Sequence, residues 1–268
     1  MSTTSITGRT RLYGIIGDPI AQVRSPEVYT RKFAEAGIDA VLVPMQIDAS
    51  EIDAVLPTLL RLKNLDGLLV TSPFKTNALE VADEVRSKGR RVGAVNALRR
   101  DERGRWHADM FDGEGFVRGL LAKGHTVKDK RALVLGCGGA GAAIAVSLAD
   151  AGVAHITLCD IDRAKASALA AQLSASCEGC AIAAGDADAN DADIIVNASV
   201  VGMKAGDGMP APFASFGSGQ IVGDVVLRPP GEPTALIAKA IECGCPVVTG
   251  IDMHSGQIDA IFEFFNAA

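Results

Sequence analysis

The chain has 268 residues, 48% hydrophobic and 22% charged, with 29 Gly and 11 Pro, a composition that excludes disorder and collagen-like structure and supplies ample core. Its 26 basic and 32 acidic side chains leave a formal charge of −6, so nucleic acid and anionic membrane surfaces are poor partners. No apolar run approaches the roughly 18 residues of a membrane span, and the opening MSTTSITGRTR lacks a signal-peptide core, so the expectation is a cytoplasmic protein with no membrane partner.

From the start, short β-rich runs alternate with helix-like segments, the α/β pattern. Arg11–Ile16 reads as a strand, Gly17-Asp18-Pro19 as a turn, and Ser25-Pro26 as an N-cap followed by Pro at the first helical position, with a helix to about Ala36 closed by Gly37. A strand in Ala40–Gln46, a helix from about Ser50 to Arg61 and an apolar strand over Gly67–Val70 follow, the last ending at Thr71-Ser72-Pro73. Ala94–Arg99 and Arg105–Ala108 read as a hairpin, and Phe111-Asp112-Gly113 opens a helix to about Lys123. The main domain boundary is expected between Asp112 and Lys130.

Beyond Arg131 come strand Ala132–Leu135, a glycine-rich turn, a helix to Ala151, strand Ile156–Cys159, helix Ala164–Leu173 and strand Ile194–Asn197. Later strands are expected at Ile221–Val226 and Val247–Val248, and a last helix from about His254 to Phe265; Gly185–Asp193 reads as a loop. The six cysteines (137, 159, 177, 180, 243 and 245) read as reduced thiols. A zinc site from the 177/180 and 243/245 pairs is disfavoured by the atypical second spacing and the lack of a nearby His, so no metal is expected.

Gly136-Cys137-Gly138-Gly139-Ala140-Gly141 sits between a strand and an Ala-rich helix, the context a dinucleotide turn requires. Gly136 permits the tight turn, Gly138 admits the pyrophosphate, Gly141 allows close helix packing, and the helix N-terminus opened by Gly139 and Ala140 offers free N–H groups. Asp160, 24 residues after Gly136, is placed to bind the adenosine ribose, and its carboxylate repels a 2′-phosphate. NAD is therefore expected, with NADP less favoured, although Arg163 and Lys165 offer a phosphate some accommodation. Asp160 could alternatively serve as the N-cap of the next helix, and the two roles are compatible.

A nicotinamide enzyme that oxidises an alcohol needs a group to take the hydroxyl proton. Lys75, after the strand-end turn, is the candidate, with Asp112 as its partner. An ordinary Lys has a pKa near 10.4, so a basic role requires burial or a cationic neighbour, and a static ion pair is the competing reading.

These segments resemble the shikimate and quinate dehydrogenase family over nearly the whole chain. Gly17-Asp18-Pro19-Ile20 with Ser25-Pro26 is similar to the family's G-x-P-I…S-x-S-P, Val70–Lys75 to V-T-x-P-x-K, Gly93–Asn96 to G-A-x-N, and Asp112–Phe116 to D-G-x-G-F. Asn197–Met203 resembles N-A-T-x-x-G-M, and Gly250–Met253 with Gln257 resembles the closing G-x-x-M…Q. The resemblance implies an α/β protein of two domains: a substrate-binding domain over 1–115, a Rossmann NAD(P)-binding domain over 116–250 with the active site in the cleft between them, and a C-terminal helix over 251–268 packing back on the first. It implies Lys75 and Asp112 as the catalytic pair and Ser25, Thr71, Asn96 and Gln257 as holders of substrate hydroxyls or carboxylate. Asn197, Ala198 and Ser199 then fall beside the nicotinamide, and Val226, Gly250 and Met253 are implied to bind the cofactor. Each of the four substrate residues also has a plain alternative: a helix cap for Ser25, a strand end for Thr71, turn backbone for Asn96 and a polar helix position for Gln257.

The departures define the substrate question. Val23 stands where a substrate serine is expected, Leu227 where a tyrosine is usual, Met110-Phe111 replaces Asn-Thr and makes that wall more apolar, and Asp160-Ile161-Asp162-Arg163 replaces the Asn-Arg-Thr of NADP-using members. Arg24 and Arg228 adjoin the lost hydroxyls, and a guanidinium holds a carboxylate bidentately, so Arg228 in particular is expected to recognise the acid. The expected activity is reversible NAD(P)-dependent oxidation of shikimate, quinate or a related cyclic hydroxy acid to the 3-dehydro acid, by a monomer or homodimer. A same-fold dehydrogenase for another ring or amino-substituted acid, a dinucleotide-binding sensor without catalysis, and a zinc-dependent alcohol dehydrogenase are the alternatives.

Overall fold

The computed structural model describes residues 6–229 and 231–266. The chain divides into two compact units, one formed up to Phe111 and again from Ile258, the other Asp112–Gln257.

The first unit contains β1 (Arg11–Gly17), α1 (Ser25–Glu35), β2 (Ala40–Gln46), α2 (Ile52–Leu59), β3 (Leu65–Val70), α3 (Lys75–Glu80), β4 (Glu84–Val85), α4 (Ser87–Val92), β5 (Ala97–Arg100) and β6 (Trp106–Asp109). Its sheet runs β2-β1-β3-β5-β6-β4, parallel across β2, β1 and β3 and antiparallel through the β5–β6 hairpin. Strand alternation divides the core between two faces. Leu68, Val70 and Leu98 pack with Ile52 and Leu56 of α2 and with Trp106, while Tyr13, Leu69 and Ala97 pack with Tyr29 and Phe33 of α1 and with Ile261, Phe264 and Phe265. The aromatic side chains interlock on that second face: the Tyr13 ring lies 4.5 Å from Phe33 and 5.0 Å from Phe265.

The second unit contains α5 (Asp112–Ala122), β7 (Arg131–Leu135), α6 (Gly139–Asp150), β8 (His155–Cys159), α7 (Arg163–Ser174), β9 (Ala181–Ala184), β10 (Ile194–Asn197), β11 (Ile221–Asp224), α8 (Ala235–Glu242), β12 (Val247–Thr249) and the first turns of α9 (Gly250–Asn266). All six strands are parallel in the order β12-β11-β10-β7-β8-β9, the doubly wound dinucleotide-fold arrangement, in which the order reverses between β7 and β10. The glycines of Asp112–Phe116 are explained by packing: a Cβ on Gly113 would overlap the Ala143 carbonyl of α6, and one on Gly115 the Met253 carbonyl of α9.

Several expectations are corrected. Helix α1 begins at Ser25 rather than being capped by it, Arg24 occupies the cap position without a side-chain bond, and Pro26 lies in the first turn. The helix expected from Ser50 is a short 3-10 turn over Ala49–Glu51, capped by the Asp48 carboxylate on Ser50 N, followed by α2. Helix α9 begins at Gly250 rather than His254, because Asp252 accepts from Thr249 N and Oγ1 and ties that corner down. All six cysteines are free thiols. No described helix is long and apolar enough to cross a membrane, and no group of three metal-ligating side chains occurs among the described residues.

Candidate functional site

In the first unit, the motif segments are stitched together at one end of the sheet. Thr71 N donates to Ile16 O (2.9 Å), Asp18 N to Ser72 O (3.1 Å), Val95 N to Lys75 O (3.0 Å) and Val70 N to Asn96 O (2.8 Å). These bonds place the turn after β1, the Thr71–Lys75 segment after β3 and the Asn96 approach to β5 side by side. Gly17 is required here: a Cβ would collide with the Thr71 methyl. The end of the sheet where parallel strands terminate is where α/β proteins bind ligands.

Ser25 is buried at the start of α1, Thr71 is partly exposed, and Lys75 is partly exposed as the first residue of α3. Asn96 is buried, and its Oδ1 accepts from Phe111 N at 2.9 Å, so its oxygen serves the turn. Met110 and Phe111 are 2% and 5% exposed. The expected apolar wall is therefore core: the Phe111 ring packs 5.3 Å from that of Phe264. Val23 likewise packs against the core containing α1.

In the second unit, a cavity of about 460 Å³ opens over the C-terminal ends of β7, β8 and β10, where the strand order reverses. Gly136, Gly138, Asp160, Ile161, Lys165, Ala198 and Ser199 are among its lining residues. Gly136 has φ +95°, and a Cβ there would press on Ser199 N and the Ala198 carbonyl carbon. On Gly141 it would overlap the Gly136 carbonyl, but on Gly138 it would meet no protein atom within 4 Å. Packing thus accounts for the glycines at 136 and 141 but not for the one at 138. Gly138 caps α6 without a side chain, so the N–H groups of Gly139, Ala140 and Gly141 lack intrahelical acceptors and suit a pyrophosphate.

The Asp160 carboxylate accepts from Cys137 N (2.7 Å) and Asp162 N (3.0 Å). Burial pushes its pKa up, but those N–H groups and nearby Lys165 more than offset it, leaving the group below the usual range and ionised at neutral pH. It does not cap α7; Asp162 does, accepting from Ala164 N and Lys165 N. Arg163, expected at the cofactor, instead pairs with Asp186 at 2.6 Å, both side chains more than 80% exposed, and Lys165 is the cation lining the cavity.

Asn197 is also corrected. Fully buried, it accepts from Ser199 N and Oγ and donates to Val201 O and Asp224 Oδ1, so it positions the 198–201 loop rather than offering its amide to a ligand. Asp224, which the sequence reading did not single out, is the hub: buried, it also accepts from Val226 N (3.0 Å) and Thr234 Oγ1 (2.7 Å). Burial raises its carboxyl despite those three donors. Its signal in the sequence was an acid closing a strand that is buried throughout, β11. Val226 is buried beside it, and Gly250 is buried because a Cβ would meet the carbonyls of Val225 and Val226; Met253 lies partly buried in the first turn of α9.

Asp112 is 4% exposed at the start of α5, and Gln257 is 9% exposed on α9. Arg228 donates to Glu232 Oε2 at 3.0 Å. Arg24 is exposed.

Comparison with known proteins converges on one family. The family model described as the shikimate dehydrogenase substrate binding domain matches residues 15–98, and a ThiF family model matches residues 121–181. A shikimate dehydrogenase (NADP(+)) of Rubrobacter xylanophilus is 34% identical over 258 residues, 93% of this chain and 88% of that one. The crystal structure of shikimate 5-dehydrogenase from Listeria monocytogenes with shikimate and NAD superposes with a TM-score of 0.87 at 30% identity, covering 98% of this chain and 94% of that one. The ligand-free 5-ketofructose reductase of Gluconobacter sp. strain CHM43 gives a TM-score of 0.84 at 28% identity, covering 98% and 95%. At 34% identity to the Rubrobacter enzyme, extending over most of both lengths, the chain belongs to the shikimate dehydrogenase family.

Proposed function

We propose that the protein is an NAD(P)-dependent dehydrogenase that reversibly oxidises a ring hydroxyl of shikimate, or of a close cyclic hydroxy acid such as quinate, to the 3-dehydro acid. The observation that carries this reading is the hydrogen-bonded alignment of the Thr71–Lys75 segment with the turn after β1 and with Asn96, which sets a lysine, a threonine and an amide at one ligand-binding end of the sheet. A dinucleotide bound at the Gly136–Gly141 turn would supply the acceptor for the hydride lost from the alcohol carbon. Lys75 takes the hydroxyl proton during oxidation and returns it during reduction, with Asp112 as its partner. Ser25, Thr71, Asn96 and Gln257 hold the remaining hydroxyls and the carboxylate, and Arg228 takes part of the carboxylate's charge after exchanging Glu232 for it.

Gly138 to Gly141 hold the pyrophosphate, with Ala198 and Ser199 along the same cavity. NAD is preferred over NADP, because an ionised Asp160 at the cavity rim accepts from the ribose hydroxyl and repels a 2′-phosphate; Lys165 tempers that repulsion. The test is an absorbance assay at the NADH band with shikimate, quinate and 5-ketofructose, each run with NAD(H) and NADP(H). Turnover of shikimate or quinate with the higher kcat/KM for NAD is expected, and turnover of 5-ketofructose alone overturns the substrate assignment. Lys75→Ala should lower kcat by roughly 10²–10⁴-fold, the usual yield of general acid–base catalysis, with a much smaller change in KM.

A further inference from the structure

Residues 86–105 carry eight Arg or Lys and two Asp or Glu, a local charge of +6 in a chain whose total is −6. Most of these cations have partners. Arg100 donates to the carbonyls of Leu62 and Lys63, and Arg105 pairs with Glu84 and Asp101. Arg86 and Arg99 differ. Both guanidinium groups lie over the ring of Phe264, at 4.9 and 5.7 Å from its centroid, and neither has a hydrogen bond or ion pair to any described residue. Arg99 is only 6% exposed, and its Nε is a buried donor with no acceptor.

A buried guanidinium Nε–H without an acceptor is costly, and a like-charged neighbour adds to that cost. Two nearby carboxylates, Asp101 and Glu84, relieve it only in part. Asp101 Oδ2 lies 3.0 Å from His107 Nε2, and Glu84 Oε2 lies 3.3 Å from His107 Nδ1. Burial first, and Arg86 second, pull the Arg99 pKa down against the pull of those two acids. The Phe264 ring supplies a flat apolar backing that holds both planar groups by cation–π contact. A single carboxylate would neutralise one of the two cations, whereas a phosphate carries close to two charges near pH 7 and several acceptor oxygens that match guanidinium donors.

We propose that Arg86 and Arg99, backed by Phe264, form a binding site for a small dianionic oxyanion, inorganic phosphate or a phosphomonoester, three residues along the chain from Asn96. The site is separate from the residues proposed to bind substrate and cofactor, so it stands or falls independently of the dehydrogenase reading.

The test is thermal unfolding and calorimetric titration of the full chain with sodium phosphate against sodium chloride at equal ionic strength. A saturable rise in Tm with phosphate is expected for the wild type. Arg99→Met should abolish that rise while leaving the phosphate-free Tm unchanged or higher, since it removes an uncompensated charge. Arg86→Gln, at an exposed position, should weaken phosphate binding several-fold and keeps the test open if Arg99→Met fails to fold. Tighter saturation by glycerol 3-phosphate than by phosphate would identify a phosphomonoester as the natural occupant, and the reverse would identify the free ion. No saturable rise, or an equal response in wild type and both variants, overturns the proposal; an equal response would place the anion elsewhere, as at the Gly138 turn.

Discussion

Replacing Gly138 by Ala separates folding from cofactor binding. The residue has φ −80° and ψ −172°, extended backbone that alanine adopts freely, and its new Cβ would meet no protein atom within 4 Å. Folding should therefore be unharmed, and the reduced freedom of the unfolded chain should add about 0.4–1 kcal/mol of stability. The same methyl would stand where a pyrophosphate approaches the N–H groups of Gly139 to Gly141. Losing one charge-assisted hydrogen bond there costs about 1.5–3 kcal/mol, which at 1.4 kcal/mol per decade weakens dinucleotide binding roughly 10- to 150-fold. Calorimetric titration with NAD and NADP, alongside thermal unfolding, reads both effects on one sample. Gly141→Ala is the control with the opposite pattern: its Cβ would overlap the Gly136 carbonyl, so overpacking should cost about 1–3 kcal/mol and lower Tm. A Gly138→Ala variant that binds dinucleotide as tightly as the wild type would refute the assignment of this turn to the phosphates. One that unfolds more easily than the wild type would instead refute the claim that alanine fits this position without strain.

Three further outcomes are expected. Asp160→Asn should remove the charge facing the ribose and raise kcat/KM with NADP relative to NAD, measured with both cofactors at a fixed substrate concentration; an unchanged ratio refutes the preference argued from this carboxylate. Gly113→Ala should destabilise the protein by about 1–3 kcal/mol, seen in urea unfolding, because its Cβ would overlap a backbone carbonyl of α6 that cannot rotate away. The raised carboxyl of Asp224 fixes the sign of a pH effect: the folded state holds that proton more tightly than the unfolded chain. Its contribution is complete below the unfolded value near 3.9 and is lost as pH rises through the folded one, so the Tm of wild type relative to Asp224→Asn should fall over that window, and a relative Tm that rises there would contradict the burial argument.

Most of the fold was legible because its elements announce themselves locally. β1, β2 and β10 carry uninterrupted apolar runs, and the hairpin of β5 and β6 brackets Asp101-Glu102-Arg103-Gly104, a turn in which Asp101 accepts from Arg103 N and Arg105 N. Two of the elements that escaped lack such signals. Helix α4 has the sequence Ser-Lys-Gly-Arg-Arg-Val, without apolar periodicity, and is closed by Gly93 at φ +72°; what holds it is tertiary, since Gly89 N donates to the buried Asp109 carboxylate. Strand β9 is four residues, Ala-Ile-Ala-Ala, three of them small and exposed, and it forms because β8 presents an open edge in register.

The site was legible in its residue types and less so in what each side chain is free to do. Spacing located the glycine turn and the acid after β8, because both belong to one strand–turn–helix unit whose geometry the backbone dictates. Spacing could not show that Asn197 and Asp224 satisfy each other, since their meeting depends on β10 and β11 lying parallel with Asn197 opposite Asp224, a contact across 27 residues of chain. The same limit governed Arg163 and Lys165. Two positions apart at the start of α7, they point in different directions, and helix geometry turns Lys165 to the cavity while Arg163 finds Asp186. Motif matching therefore picked out the segments expected to bear the chemistry, and the parallel register between strands decided which side chains in those segments are already engaged with one another.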